Sequence, residues 1–352
     1  MYPRIICHKE KLRENAIRLQ THLEKRGITL FAVTKVFGAD PNIIRILDDA
    51  GVHHFADARL LNLSHIEKIQ GERMLLRIPM LSELEDVLRY ADLSLQSDLK
   101  TLRALNELCV ERGKQHKVLL MIDLGDLREG IFSKDELKEV ASELALMQGV
   151  QWVGLGTNLT CYGGVLPTRE SLERLIQLRD FLEEDYKIDL PIISAGNSSS
   201  LYLVDEDWPK ELNQLRIGEA LANGTESSFG KNFIGLHEDV FTIEAQIVEL
   251  KEKPSVPIGT RGKNAFGKEP VFEDYGIQKR AIIALGMQDT DPEDLVPILE
   301  GAKILGASSD HMIVDITHVR DALDVGSILA FRTNYRSVLR AYTSAYVYRE
   351  IE

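Results

Sequence analysis

KVLLMIDLGDLREGIFSKDELKEVASELALMQGVQWVGLGTNL, residues 117–159, carries the fold in a single unit. KVLLMID (117–123) is a short apolar run, rich in strand-forming residues. SKDELKEVASELALM (133–147) follows with apolar residues at three- and four-residue steps, and Ser133 and Glu136 have capping-box spacing. VQWVGLGTNL (150–159) is a second strand. Strand, helix and strand in this order form a βαβ crossover and imply a parallel sheet.

The same alternation runs in both directions from this unit. Further strands are expected at ITLFAVTK (28–35), HHFADA (53–58), RMLLRI (73–78), DLSLQS (92–97), LPIISAG (190–196) and NQLRIGE (213–219). Helical patterns lie between them, as in LKTLRALNELCVER (99–112) and TRESLERLIQLRDFLEEDY (168–186). Thr168 starts the latter as a plain N-cap, because Ser171 stands where a capping box wants Glu or Gln. Eight strands within about 220 residues fit a closed (β/α)8 barrel, for which roughly 250 residues is typical. A doubly wound sheet would want a G-x-G-x-x-G after ITLFAVTKVFGAD, which has none; Gly154-Leu155-Gly156 lacks the third glycine. The barrel is assigned to residues 8–231.

From residue 232 the texture changes. DVFTIEAQIVELK (239–251), RAIIAL (280–285), AKILGA (302–307), HMIVDIT (311–317), SILAFRTN (327–334) and SAYVYREI (344–351) are strand-like, with no long helical pattern between them. Residues 232–352 are read as a second, mostly-β domain, with residues 1–7 packing against it.

The 352 residues carry 42 Lys+Arg against 55 Asp+Glu, a net charge of −13. That balance argues against tracking nucleic-acid phosphates or adhering to anionic lipid. Cys7, Cys109 and Cys161 are odd in number and scattered, which is no disulfide framework. MYPRIICHKEKLREN turns charged after seven residues and lacks a signal peptide's apolar stretch, and no run approaches the roughly 20 apolar residues of a membrane span. A cytoplasmic protein is expected.

Function in such barrels sits at the carboxyl ends of the strands. Lys35 ends the first strand; desolvation there favours the free amine that Schiff-base chemistry requires. Arg128 follows the fifth strand, and Asn158 closes the sixth. Ser194, Asn197 and Ser198 follow the seventh, and Arg216 with Gly218 ends the eighth. Serines after strand seven and a glycine after strand eight fall where barrels commonly bind phosphate. Singly, each of these is an ordinary surface residue. A lysine, a phosphate cup and two arginines on one face jointly suggest pyridoxal phosphate.

These motifs resemble the fold-type III pyridoxal-phosphate enzymes of the alanine racemase superfamily, most closely its ornithine/alanine racemase-like branch. AVTK resembles the segment bearing the Schiff-base lysine, Lys35 here. IDLGDLREG is similar to D-T-G-M-x-R-x-G and places Arg128 near the cofactor's phenolic oxygen. NSS resembles an N-S pair that makes Ser198 a phosphate ligand. LRIGEAL resembles an R-P-G segment, with Arg216 facing the pyridine nitrogen and the backbone of Gly218 and Glu219 on phosphate. TNYRS is similar to I-N-Y-E and offers Tyr335 as a further phosphate ligand. The resemblance implies racemisation of a free amino acid, ornithine first, with lysine, alanine or serine as other substrates. It also implies a homodimer with its site at the subunit interface.

The sequence departs from that family in two places. The V-S-Y-G tyrosine that acts as second acid/base corresponds to Phe266 in NAFGKE, and phenylalanine transfers no proton. GASSDHMIVD resembles an S-M-D segment and aligns Ser309 and Asp310 with it. The adjacent His311 ranks first as the second proton carrier, followed by Cys161, Tyr162 and Asp310. The family's phosphate-binding tyrosine in K-x-x-x-Y-G has no equivalent in KVFGAD. The Ser309–Asp310 match keeps a lyase or decarboxylase open. A non-catalytic pyridoxal-phosphate-binding regulator is a third reading, although its single-domain relatives lack the second domain. For a basic substrate, Asp289, Asp291, Glu293 and Asp294 in MQDTDPEDL are candidate receptors of the distal amine. No recognised zinc spacing joins His53-His54 or Asp310, His311, Asp315 and His318, so no metal is expected.

Overall fold

The computed structural model describes residues 1–352 except Lys68, Asp207, Ala265 and Lys268. It divides into two compact units, Glu10–Glu238, and Met1–Lys9 with Asp239–Glu352. The division falls after Glu238 rather than at 231/232 because the intervening segment folds back on the first unit. Asn15 donates to the His237 carbonyl at 2.9 Å and accepts from its N–H at 2.7 Å, and Phe233 N bonds Gly224 O at 3.0 Å.

At the start of the chain lies β1 (Arg4–Cys7). In the first unit, eight parallel strands then close in chain order. They are β2 (Thr29–Val33), β3 (His54–Asp57), β4 (Arg73–Leu75), β5 (Leu93–Gln96), β6 (His116–Ile122), β7 (Val150–Thr157), β8 (Ile192–Ser194) and β9 (Gln214–Ile217). This is the expected (β/α)8 barrel. Alternate residues of each strand share a face, and Phe31, Val33, Ala56, Met74, Leu93, Leu95, Leu119, Met121 and Val153 form one buried cluster from β2–β7. The two glycines that faintly suggested a dinucleotide loop are packing residues. A Cβ on Gly154 would lie 1.9 Å from the Ile192 carbonyl, and one on Gly156 would lie 2.8 Å from Met121 Sδ.

Helix Arg169–Tyr186 starts with a reciprocal capping box, not the plain cap expected. Ser171 Oγ accepts from Thr168 N at 2.9 Å, doing the work usually given to a longer Glu or Gln.

His116 opens β6, at the end opposite the candidate site, and is buried with Nε2 3.0 Å from Ser94 Oγ. Burial outweighs the pull of Asp92 and lowers its pKa from 6.5 to about 4. Because the folded value lies below the unfolded one, this neutral imidazole stabilises the fold above pH 6.5. That contribution is lost as pH falls toward 4. Urea denaturation is expected to show about 3 kcal/mol less stability at the acid end on this account. His116→Gln should flatten that stretch; an unchanged pH slope in the variant would contradict the assignment.

The second unit adds β10 (Phe241–Pro254), β11 (Ile277–Ile283), β12 (Val296–Pro297), β13 (Lys303–Ala307), β14 (Met312–Asp315), β15 (Ile328–Arg332) and β16 (Tyr348–Ile351). The sheet order is β12-β15-β10-β11-β14-β13, and β1 pairs with β10 and β16. A helix, Tyr335–Thr343, interrupts the strand-like texture expected here. Asn334 and Ser337 cap it reciprocally, and Val338, Ala341 and Tyr342 form its buried stripe at helical spacing.

The acidic loop considered for a substrate amine is committed to this helix instead. Asp294, buried, holds Asn334 Nδ2 at 2.9 Å and Arg336 Nη2 at 2.6 Å. Asp291 pairs with Arg340 at 3.7 Å, and Asp289 accepts from Ser344 Oγ at 3.2 Å. Burial works against ionisation of Asp294, yet Arg336 and Asn334 prevail and keep its carboxyl below its ordinary range. Glu293 alone of the four is exposed.

Candidate active site

Lys35 begins a 3-10 turn directly after β2 and is half-buried. The turn ends on Gly38 in the left-handed region (φ 58°), which reverses the chain and leaves Val36 and Phe37 buried beneath it. Behind the lysine, Thr34 Oγ1 donates to Asp57 Oδ2 at 2.6 Å. Burial drives the Asp57 pKa upward, opposed by bonds from Thr34, Arg59 N and Asn62 and by the charge of Lys35. The sequence reading passed over Asp57. Its signal was an acid closing the apolar strand HHFADA, which is costly unless bonded.

Arg216 lies on β9 in register with Phe31, so it replaces an apolar side chain inside the barrel. It is 2 % exposed. One of its Nη atoms donates to Ser194 Oγ and the other to the Thr157 carbonyl at 2.5 Å. Among the described residues no carboxylate pairs with it. Burial lowers its pKa to about 10, against the opposing charge of Glu129, and it remains cationic at neutral pH. A buried guanidinium with neutral partners and unspent N–H groups is unfavourable unless a further acceptor completes it.

The remaining candidates of this unit form a line across three loops. Arg128 is exposed and pairs with Glu129 through Nε at 2.7 Å. Asn158 Nδ2 donates to Glu129 Oε1 at 3.0 Å, and Asn197 Nδ2 donates to Asn158 Oδ1 at 2.8 Å. Asn197 Oδ1 accepts from Ser199 N at 2.8 Å, at the start of the Ser198–Ser200 turn. Ser198 Oγ accepts from Ala220 N at 3.4 Å, tying this turn to the short helix that follows Gly218 and begins at Glu219. Ser199 Oγ is buried and has no partner among the described residues. A Cβ on Gly218 would come within 3.2 Å of Val33 Cβ, so the backbone after β9 approaches the end of β2 closely. Burial raises the Glu219 pKa, with Ser227 opposing it.

Cys161 is exposed, its Sγ 3.4 Å from Asn197 Nδ2. The Cys161–Tyr162 loop hangs on buried Asp126, which accepts from Tyr162 N at 2.9 Å, Gly163 N at 3.0 Å and Val165 N at 3.2 Å. Glu129 and Asp126 were both missed in sequence, where IDLGDLREG was read for Arg128 alone.

In the second unit, Asp310 and His311 sit at the tip of the β13–β14 hairpin, exposed, with His311 Nδ1 3.3 Å from Asp310 Oδ1. The tip is held by Met287 N on Ser308 O and Gln288 N on Ser309 O, both at 3.0 Å. Gly286 permits this, since a Cβ there would lie 2.2 Å from the Ser309 carbonyl. Tyr335 is half-buried between Asn334 and Arg336, both fixed by Asp294. Phe266 is half-exposed, beside Ala265, which lies outside the described residues. Among the described residues no three His, Cys, Asp or Glu side chains converge as a metal would need. No helix there is long and apolar enough to cross a membrane.

An amine after the first barrel strand, an unspent guanidinium on the last and a hydroxyl turn between them suit an amine-reactive group with an anionic tail. That makes the first unit a barrel of the (β/α)8 class with its candidate site after the carboxyl ends of the strands. Comparison with known proteins narrows the class to a family. The model for the alanine racemase N-terminal domain matches residues 7–225. Ornithine racemase from Acetoanaerobium sticklandii is 46% identical over 352 residues, covering 100% of both chains. Lysine racemase from Thermotoga maritima is 39% identical over 355 residues, covering 100% of this chain and 99% of that one. The crystal structure of alanine racemase from Bartonella henselae, with covalently bound pyridoxal phosphate, shares the fold at TM-score 0.76 and 18% identity, covering 99% of each chain. The chain belongs to the alanine racemase family, and it is an amino-acid racemase.

Proposed function

We propose that this racemase works through pyridoxal 5'-phosphate and acts on ornithine. The observation that carries the cofactor is Arg216, a buried cation with unspent donors, seconded by the unpartnered Ser199 hydroxyl. What supports ornithine is the end-to-end similarity to the Acetoanaerobium enzyme.

Bound here, the group would supply an aldehyde to capture an amine and a sink for the electrons of the deprotonated Cα. Lys35 Nζ would hold the group and, as a free amine, would serve as a base beside Cα. Arg216 would face the ring nitrogen and, cationic at neutral pH, would disfavour its protonation. Ser194 and the Thr157 carbonyl keep that guanidinium oriented. Ser198, the backbone of Gly218 and Glu219, and Tyr335 would hold the phosphate, and Arg128 would serve the phenolic oxygen.

Racemisation also needs a proton carrier on the other face of Cα, and His311 is that carrier, with Asp310 beside its ring. Cys161 is the alternative. A homodimer in the cytoplasm completes the proposal. Exposed apolar side chains such as Val271, Tyr275 and Ile277 in the second unit favour a covered face there, and light scattering on the purified protein would settle the stoichiometry.

Incubation with pyridoxal phosphate and a panel of L-amino acids in heavy water tests the reading. Cα deuteration with loss of chirality, fastest for ornithine, is expected; elimination products or inertness would overturn it. Arg216→Gln keeps an N–H donor and removes the charge. It is expected to raise keto-acid formation per racemisation event about tenfold, equivalent to roughly one pKa unit at the ring nitrogen. An unchanged ratio would deny Arg216 this control.

A further inference from the structure

Glu129 has no role in the chemistry above, yet three donors of the site converge on its carboxylate. It accepts Arg128 Nε at 2.7 Å and Nη2 at 2.9 Å, and Asn158 Nδ2 at 3.0 Å. It is also the foremost opposing charge on buried Arg216.

The line that starts here has a direction. An ionised carboxylate only accepts hydrogen bonds, whereas an amide donates from one end and accepts at the other. Glu129 therefore obliges Asn158 to turn Nδ2 toward it and present Oδ1 to Asn197. Asn197 donates to that Oδ1 at 2.8 Å and to the Leu159 carbonyl at 3.1 Å, and offers its own Oδ1 to Ser199 N. With Asn158 reversed, its NH2 group would face that of Asn197 and its Oδ1 the carboxylate; with Asn197 reversed, an NH2 group would face the Ser199 N–H. The acceptor at position 129 sets Asn158, and Asn158 Oδ1 together with the Leu159 carbonyl then sets Asn197 and with it the backbone of the Ser198–Ser200 turn after β8.

We propose that Glu129 is a positioning residue: it fixes the polarity of this line and so holds both Arg128 and the Ser198–Ser200 turn for the cofactor. The inference rests on the function proposed above. Glutamine at 129 keeps one carbonyl oxygen for Asn158 but sets an NH2 group against the Arg128 guanidinium. Alanine removes the head of the line. Asn158→Leu cuts the line one link further on.

The dissociation constant of pyridoxal phosphate from the apoprotein, by equilibrium dialysis, separates these cases, with circular dichroism and thermal unfolding confirming an intact fold. Glu129→Gln is expected to bind within about threefold of the parent while kcat falls. Glu129→Ala and Asn158→Leu are each expected to bind about tenfold more weakly, the scale of one charge-assisted hydrogen bond. Their combination should be no weaker than the worse single variant, since both cut one line. Parent-like affinity in Glu129→Ala, or multiplied losses in the double variant, would overturn the proposal. Should Glu129→Ala fail to fold, parent-like affinity in Asn158→Leu refutes it equally. A parent that takes up no pyridoxal phosphate refutes the proposed function instead, which is a different result.

Discussion

Replacing Lys35 by alanine is expected to leave a folded, colourless protein without racemase activity. The packing of this turn belongs to its neighbours, because Val36 and Phe37 are fully buried and Lys35 is not. Circular dichroism and thermal unfolding should therefore stay close to the parent. On the proposed function, removal of the amine takes away both the covalent anchor and one of the two bases, and general acid–base catalysis alone accounts for about 10⁴-fold at its upper range. Turnover should fall by at least that factor. The direct measurement is borohydride reduction of protein mixed with pyridoxal phosphate, followed by peptide mass analysis. The parent should carry the mass on the peptide containing Lys35, and the variant on none. Lys35→Arg is the companion experiment, since it keeps the positive charge that acts on buried Asp57 while still removing the nucleophilic amine. Residual racemisation by either variant near the parent rate, or label on another lysine, would dispose of this assignment.

His311→Ala is expected to make the enzyme one-sided. With Lys35 intact, Cα exchange into heavy water should persist for the enantiomer whose proton faces the lysine. For the other enantiomer it should slow by about 10²- to 10⁴-fold, and racemisation should slow with it. Pyridoxal phosphate affinity should not move. Asp310→Asn removes the carboxylate 3.3 Å from the ring and is expected to slow the same half-reaction less than His311→Ala does, because the ring loses a partner that orients it and keeps its own nitrogens. Equal exchange of both enantiomers in His311→Ala would exclude the histidine and pass the role to Cys161, whose alanine variant should then show the one-sided pattern.

Much of the barrel was legible because a parallel strand buried on both faces writes itself as a short apolar run, and each helix between strands writes a separate period. Lys35, Arg128, Asn158, Ser198 and Arg216 were singled out by their place at the ends of such runs, where a closed barrel brings loops together whatever their sequence separation. The helix Tyr335–Thr343 was not, since its one buried stripe is short and flanked by residues that also suit strands. The acidic loop 289–294 misled for a related reason. Charge invites a search for a charged ligand, and the partners, Arg336, Arg340 and Ser344, lie some fifty residues further along the chain.

The sequence by itself determined the order and periodicity of the elements, hence a parallel barrel followed by a β unit, and it marked a lysine and an arginine at strand ends. Those properties are local, readable within one or two turns of chain. Only the tertiary structure decided that Arg216 is buried with neutral partners, and that Asp57 stands behind Lys35. It alone showed that Glu129 heads a directed line of amides across three loops. Burial and hydrogen-bond direction depend on which segments meet. That is settled by closure of the sheet and the packing inside it, not by any neighbour in the sequence.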